Sequence, residues 1–237
     1  MARFIDRYHV ILIDVCSTLM FNHDRFGPGE DYFSTYTQLA GNSLSPTEVS
    51  AIIQHMFEDI VAAEKLEANY DPFPSLRDFL LRASPPPGLP EDELWCIENV
   101  FAQHECGRIP HTVADAVLVL SETHTLGIVS NIWSLTHVFE TELARAGIRD
   151  LFQVRVWSSD VGCLKPAGRI FQAALEYFDL PNEQVLYVGD TFMRDVVGAK
   201  RLGMAAAWVN ANGIPIPQEY QVEPDLIVGR INDLLAA

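Results

Sequence analysis

The sequence predicts an α/β protein, a doubly wound parallel sheet interrupted after its first strand by an all-helical segment. Three observations carry this reading. After Pro110, short apolar runs alternate with amphipathic helical stretches, the pattern of helices covering both faces of a parallel sheet. One further apolar, β-branched run, residues 8–14, stands alone near the start. Between them, from 30 to about 104, the periodicity is helical and no strand signal occurs.

Taken in order, residues 8–14 form a continuous apolar run that turns polar at Asp14, as expected of a strand buried on both faces. Ser45, Pro46 and Glu48 then give a helix N-cap, a proline at the first helical position and a capping-box glutamate. Ile52, Ile53, Met56, Phe57, Ile60 and Val61 follow at helical spacing, and a Pro-rich loop at 84–90 separates helices expected at 75–83 and 91–104. Phe57, Phe79, Trp95 and Phe101 are expected to pack these helices against one another. Strands are predicted at 125–130, 152–157, 185–189, 205–209 and 226–228. Helices are predicted at 111–123, 133–146, 167–178, 194–202 and 231–235, with Gly147 and Gly203 as C-terminal caps. The first strand joins the later ones, so residues 1–20 and 110–237 are expected to make the core and 21–109 the helical insertion.

The 237 residues are 49% hydrophobic and 20% charged, which excludes wholesale disorder. Sixteen basic against thirty-two acidic residues leave a net charge of −16. That field repels polyanions, so neither nucleic acid nor an anionic membrane surface is an expected partner. Apolar runs are too short to span a bilayer, and the apolar stretch after residues 1–6 stops at Asp14 with no small-residue cleavage site following, so a cytoplasmic protein is expected, as a monomer or homodimer. Cys16, Cys96, Cys106 and Cys163 show no C-x-x-C pairing, which argues against a disulfide scaffold or zinc ribbon. His104, Cys106 and His111 lack regular spacing and a fourth ligand, and read as hinge residues.

In an open parallel sheet the ligand sits outside the carboxyl ends of the strands. The polar residues expected there are Asp14, Ser130, Asn131 and Asp190, with Lys165 in the loop after the third strand and Asp195 beginning the helix after the fourth. Neighbouring carboxylates repel unless a cation lies between them, and oxygen donors suit Mg²⁺. Asp14 and Asp190 are the expected pair of ligands. Arg25, leading into the insertion, is placed where it meets either a substrate anion or solvent.

Four segments resemble the ordered motifs of the haloacid dehalogenase superfamily. They are the run from Val10 through Asp14, Cys16 and Thr18 to Leu19, the strand end Ile128 to Asn131, the stretch Gly162 to Pro166 through Ile170 and Phe171, and Val188 to Thr191 through Asp195. The insertion is similar to that family's α-helical cap, and the resemblance covers the whole chain. It implies a Rossmann-like catalytic core with a cap domain. Asp14 is then the nucleophile giving a covalent aspartyl intermediate, with Ser130 and the Asn131 backbone amide holding the transferring group. Lys165 neutralises charge, and Asp190 binds Mg²⁺ with Asp195 as acidic partner. The Cys16 backbone carbonyl completes the metal set, and Thr18, Cys16 and Arg25 join Asn131 in contacting substrate.

One position departs from the family pattern. Phosphatases of this kind have a second aspartate two residues after the nucleophile, which protonates the leaving oxygen and later activates water. Here that place is Cys16, a poor substitute for a tuned carboxyl group. The resemblance therefore implies a Mg²⁺-dependent phosphatase acting slowly on a small phosphorylated metabolite. The alternatives are a 2-haloacid dehalogenase, against which Gly189 and Asp190 count, and a non-catalytic phosphometabolite binder. Lys65, the insertion's one lysine, reads as part of a solvated helix face rather than as a Schiff-base former.

Overall fold

The protein is described here by a computed structural model covering residues 3–236; Met1, Ala2 and Ala237, at the ends of the expected core segments, lie outside the described residues. Six strands, β1 (Val10–Ile13), β2 (Thr125–Ser130), β3 (Phe152–Trp157), β4 (Val185–Gly189), β5 (Ala205–Val209) and β6 (Leu226–Val228), form one parallel sheet in the order β3-β2-β1-β4-β5-β6. The chain winds outward from β1 in one direction and from β4 in the other, so a crevice opens where the two windings diverge. Ile13 pairs with both Ile128 and Val188, and the Asp14 amide donates to the Val188 carbonyl at 2.9 Å. This register brings Asp14, Ser130 and Asp190 out on one rim.

Strand periodicity divides the core. Ile11, Ile13, Ile128, Leu186 and Val188 point into one layer, and Val10, Leu12, Val129, Val185 and Tyr187 into the other. The helical segment carries α1 (Tyr32–Gln38), α2 (Pro46–Glu64), α3 (Leu76–Arg82) and α4 (Glu91–Glu105). They bury a third cluster of their own that includes Tyr36, Ile53, Met56, Phe79, Ile97 and Phe101. The Ser45 capping box forms as expected, the Ser45 amide donating to Glu48 Oε2 at 2.8 Å, and Ser75 with Asp78 repeats it at the start of α3. The two crossings between segment and sheet run side by side. Phe21 and Arg108 exchange backbone hydrogen bonds of 2.9 and 2.8 Å, the Asp24 amide donates to the Glu105 carbonyl, and the Arg25 amide to that of His104.

After the crossing come α5 (His111–Ser121), α6 (Thr136–Arg145), α7 (Ser158–Val161), α8 (Gly168–Leu175) and α9 (Gly198–Arg201). Gly147 and Gly203 take φ of 76° and 80°, the left-handed conformation a helix terminator needs. Some elements differ from the sequence reading. The helix expected from 133 begins at Thr136, because the Trp133 amide donates to the Glu105 carboxylate. The helix expected over 194–202 is a π-helical turn, Phe192–Val197, followed by the short α9, and 231–235 is a 3₁₀-helix. Trp95, expected inside the helical cluster, is 47% exposed, because it faces outward from α4. No described helix is long and apolar enough to cross a membrane.

Candidate active site

The rim of β1 and β4 opens on a cavity of about 110 Å³. Asp14, at the end of β1, is 5% exposed, and its Oδ1 accepts from Ser130 Oγ at 2.8 Å and from Lys165 Nζ at 2.7 Å. Its other oxygen joins none of the hydrogen bonds among the described residues. Lys165 is 2% exposed, and its three ammonium protons have three acceptors: Asp14, Asp195 Oδ1 at 2.7 Å and the Tyr187 hydroxyl at 2.8 Å. Tyr187 in turn donates to the Val129 carbonyl at 2.7 Å. This fixes the ammonium against the sheet. The side chain of Asn131 is spent on the same task, its Oδ1 accepting from the Lys165 amide at 2.8 Å.

Asp195 reaches the rim because the chain folds tightly after β4. The π-helical turn points its carboxylate back at the strand end, where a Cβ on Gly189 would lie 2.4 Å from Asp195 Cγ. Only a glycine at 189 leaves that space. Asp195 Oδ2 accepts from the Thr191 amide at 2.8 Å, so both of its oxygens are engaged.

Oxygens of Asp14, Asp190 and Asp195 lie within 4.8 Å of one another, and these three form the group of carboxylates able to hold a cation among the described residues. Three carboxylates face one ammonium. Burial first, then the Asp14 and Asp195 charges, push Asp190 up to about 7. Burial also raises Asp195, against the pull of Lys165. Burial alone would lower Lys165, but Asp14 and Asp195 outweigh it and hold the ammonium above its ordinary value. A hard divalent cation beside Asp14 and Asp190 relieves this crowding, and an all-oxygen donor set fits Mg²⁺.

The remaining wall comes from the crossing and the helical segment. Cys16, Ser17, His23, Asp24, Glu64, Glu105, Trp133 and Arg194 line it. Glu64, at the end of α2, accepts from Trp133 Nε1 at 2.8 Å and from Arg194 at 2.9 Å, and so ties the helical segment to the sheet side. Burial pushes Glu105 up to about 8. Burial and the adjacent Asp14 carboxylate push the Cys16 thiol well above its ordinary range, leaving it neutral.

Two expected substrate contacts stand apart from the cavity. Thr18 is buried at 1% exposure and does not line it. Arg25 turns away, its guanidinium donating to the carbonyls of Gln103 and Cys106, where it braces the crossing. Lys65 is exposed and lines no part of the cavity. Sequence reasoning missed Tyr187, within the strand predicted at 185–189, and the Ser17, His23 and Asp24 wall. The residue pattern Asn22, His23, Asp24 carried a signal there, since Asn and Asp tolerate the left-handed backbone that their φ of 55° and 54° requires.

The profile of haloacid dehalogenase-like hydrolases matches residues 94–209. The pyrimidine 5'-nucleotidase YjjG of Escherichia coli is 36% identical over 110 residues, 46% of this chain and 47% of that protein. A glyceraldehyde 3-phosphate phosphatase of Methanothermobacter thermautotrophicus is 32% identical over 125 residues, 53% of this chain and 54% of that one. The match thus spans about half the length of these curated relatives. The crystal structure of a 2-haloacid dehalogenase from Pseudomonas syringae superposes with a TM-score of 0.64 at 20% identity, covering 97% of this chain and 98% of that one, a likeness of fold alone. In its ordered motifs, its parallel sheet and these matches, the chain is similar to the haloacid dehalogenase-like hydrolases.

Proposed function

We propose that the protein is a Mg²⁺-dependent phosphatase acting on a small phosphorylated metabolite through an aspartyl-phosphate on Asp14. The observation that carries this reading is the charge balance of the rim, with Asp14, Asp190 and Asp195 facing one lysine around a single cavity. A metal-free carbon–halogen hydrolase has no use for that excess of carboxylates. Asp14, with Oδ1 anchored by Ser130 and Lys165, presents its free oxygen to phosphorus. Lys165 neutralises the nucleophile and the charge developing on the transferring group, and Ser130 with the Asn131 backbone amide orients it. In phosphoryl transfer this positioning and charge stabilisation is most of the catalysis.

Asp14, Asp190 and the Cys16 backbone carbonyl would hold the metal, while Asp195, its oxygens taken by Lys165 and Thr191, supports the lysine. Bound there, Mg²⁺ supplies charge neutralisation that lets an anionic nucleophile meet an anionic phosphate. Residues 1–20 and 110–237 are the catalytic core and 21–109 the cap, a division supported by the paired crossing at Phe21 and Arg108 and by the separate cap cluster. The substrate is a free metabolite met in the cytoplasm.

The test is product release from p-nitrophenyl phosphate and from 2-chloropropionate, each with Mg²⁺ and with EDTA, by wild type and Asp14→Asn. The expected result is phosphate release with Mg²⁺ only, lost by at least about 10⁴-fold in Asp14→Asn. Halide release that survives EDTA would give the chain to the dehalogenases. Mg²⁺-dependent stabilisation by phosphate compounds with no turnover would make it a binding protein.

A further inference from the structure

We propose that Ser17, His23 and Asp24 form a proton relay that supplies the general acid and base missing at position 16; the inference rests on the phosphatase reading. Ser17 Oγ lies 2.8 Å from His23 Nε2, and His23 Nδ1 lies 2.8 Å from Asp24 Oδ2. All three residues line the cavity that holds Asp14. With both ring nitrogens engaged, the imidazolium donates to Asp24 on one side and to Ser17 on the other. The Ser17 hydroxyl proton is then free to point into the cavity, three residues after the nucleophile.

The backbone supports the same assignment. Six non-glycine residues of the described chain have positive φ, and three of them, Ser17 at 59°, Asn22 at 55° and Asp24 at 54°, belong to this loop. Asn and Asp tolerate that conformation, whereas at Ser17 a glycine would sit with less strain. Strain of this kind persists where surrounding structure enforces it, and it clusters at functional sites. Here the Ser17 amide donates to the Met20 carbonyl at 2.8 Å and the Asp24 amide to the Glu105 carbonyl at 3.0 Å.

Charge acts in the same direction. The Asp24 hydrogen bond raises His23 above its ordinary value; burial opposes this, and the Asp24, Asp190 and Asp14 charges add to the rise. Lys165 and Arg194 are the cations lining the same cavity. The protonated ring therefore extends towards neutral pH. Glu105 also carries a proton there, but its carboxyl accepts from the Trp133 amide at 2.6 Å and lies beside the Ser134 hydroxyl.

The relay closes over one turnover. As Asp14 forms its bond to phosphorus and the ester P–O bond breaks, the leaving oxygen takes the Ser17 proton and Ser17 takes the Nε2 proton of His23. The departing product is an alcohol and His23 is left neutral. Water then attacks phosphorus, the Asp14–phosphoryl bond breaks, one water proton passes to Ser17, and the Ser17 proton returns to His23. Phosphate leaves with the relay reset.

The experiment compares an alkyl ester, glycerol phosphate, with p-nitrophenyl phosphate, whose leaving group departs without a proton, at saturating Mg²⁺ across pH. It uses wild type, His23→Gln, Ser17→Gly and Glu105→Gln, with a thermal melt of each. His23→Gln and Ser17→Gly are expected to lose about 10²- to 10⁴-fold on the alkyl ester and less than about tenfold on the aryl ester. Wild-type alkyl turnover falls as pH rises through the titration of His23, and His23→Gln lacks that limb. Ser17→Gly keeps or raises the melting temperature, since glycine adopts its backbone freely, so its loss cannot come from unfolding. Equal losses on both esters, no loss, or the leaving-group dependence appearing in Glu105→Gln instead would overturn the relay. Wild type turning over neither ester removes the phosphatase reading and the relay with it. Wild type turning over both, with His23→Gln unaffected, removes the relay alone.

Discussion

The two walls of the cavity are built in different ways. On the sheet side, Asp14, Ser130 and Asp190 stand at or beside the ends of paired strands, and Lys165 and Asp195 are locked by hydrogen bonds to each other and to Tyr187. On the crossing side, Ser17, His23 and Asp24 are held by a loop with three left-handed residues, and Glu105 by α4, which it ends. The first wall is set by strand pairing across the sheet. The second depends on local backbone choices and on the fit between the helical segment and the sheet. In the proposed reading, charge placement sits on the strand ends, while proton transfer and access sit on the crossing loop.

If that contrast is right, damage to the sheet wall costs stability and activity together. Lys165→Met leaves Asp14 and Asp195 buried without their cation, and is expected to destabilise by about 3–5 kcal/mol in urea unfolding and to reduce turnover to background. A variant of near wild-type stability would break the comparison. On the crossing wall the largest effect is a pH dependence. Glu105 stays protonated in the fold up to about 8, whereas the unfolded chain ionises it near the ordinary glutamate value. The folded state thus holds the extra proton between those limits, and stability falls as pH rises through that window. Glu105→Gln removes this decline, so its advantage over wild type grows to roughly 2–4 kcal/mol by pH 8, readable in melts at pH 5 and pH 8.

Smaller effects sharpen the contrast. Gly189→Ala forces a methyl into Asp195, and about 1–3 kcal/mol of stability goes with it, together with turnover that the shifted carboxylate no longer supports. Glu64→Gln, which weakens the tie between α2 and Arg194, is expected to change stability by less than about 1 kcal/mol and to raise KM several-fold. A loss of folding in Glu64→Gln would mean that the helical segment and the sheet are one cooperative unit rather than two walls.

How much of this was legible in the sequence follows the same division. All six strands were readable, because strands buried on both faces declare themselves as apolar runs, and the polar residue ending each run marks the rim. Gly147 and Gly203 were readable as helix ends for a similar local reason. The helix starting at Thr136 and the π-helical turn were not. The first is displaced by a long-range demand, the Glu105 carboxyl on the Trp133 amide, and the second by the close fit of the Asp195 carboxyl against Gly189, which no periodicity encodes. Arg25 braces the carbonyls of Gln103 and Cys106, a place that a cation near a crevice does not declare in sequence. Ser17, His23 and Asp24 escaped notice because their alignment rests on loop dihedrals that no periodicity encodes.

The central claim is that Asp14 forms a bond to phosphorus. The most direct measurement is the intact mass of enzyme acid-quenched during turnover of p-nitrophenyl phosphate with Mg²⁺, followed by peptide mapping. The account predicts the added mass of one phosphoryl group on the peptide that contains Asp14, absent in Asp14→Asn and absent with EDTA. Turnover at the same rate in Asp14→Asn, or a phosphoryl group mapped to another residue such as Ser17, would contradict it.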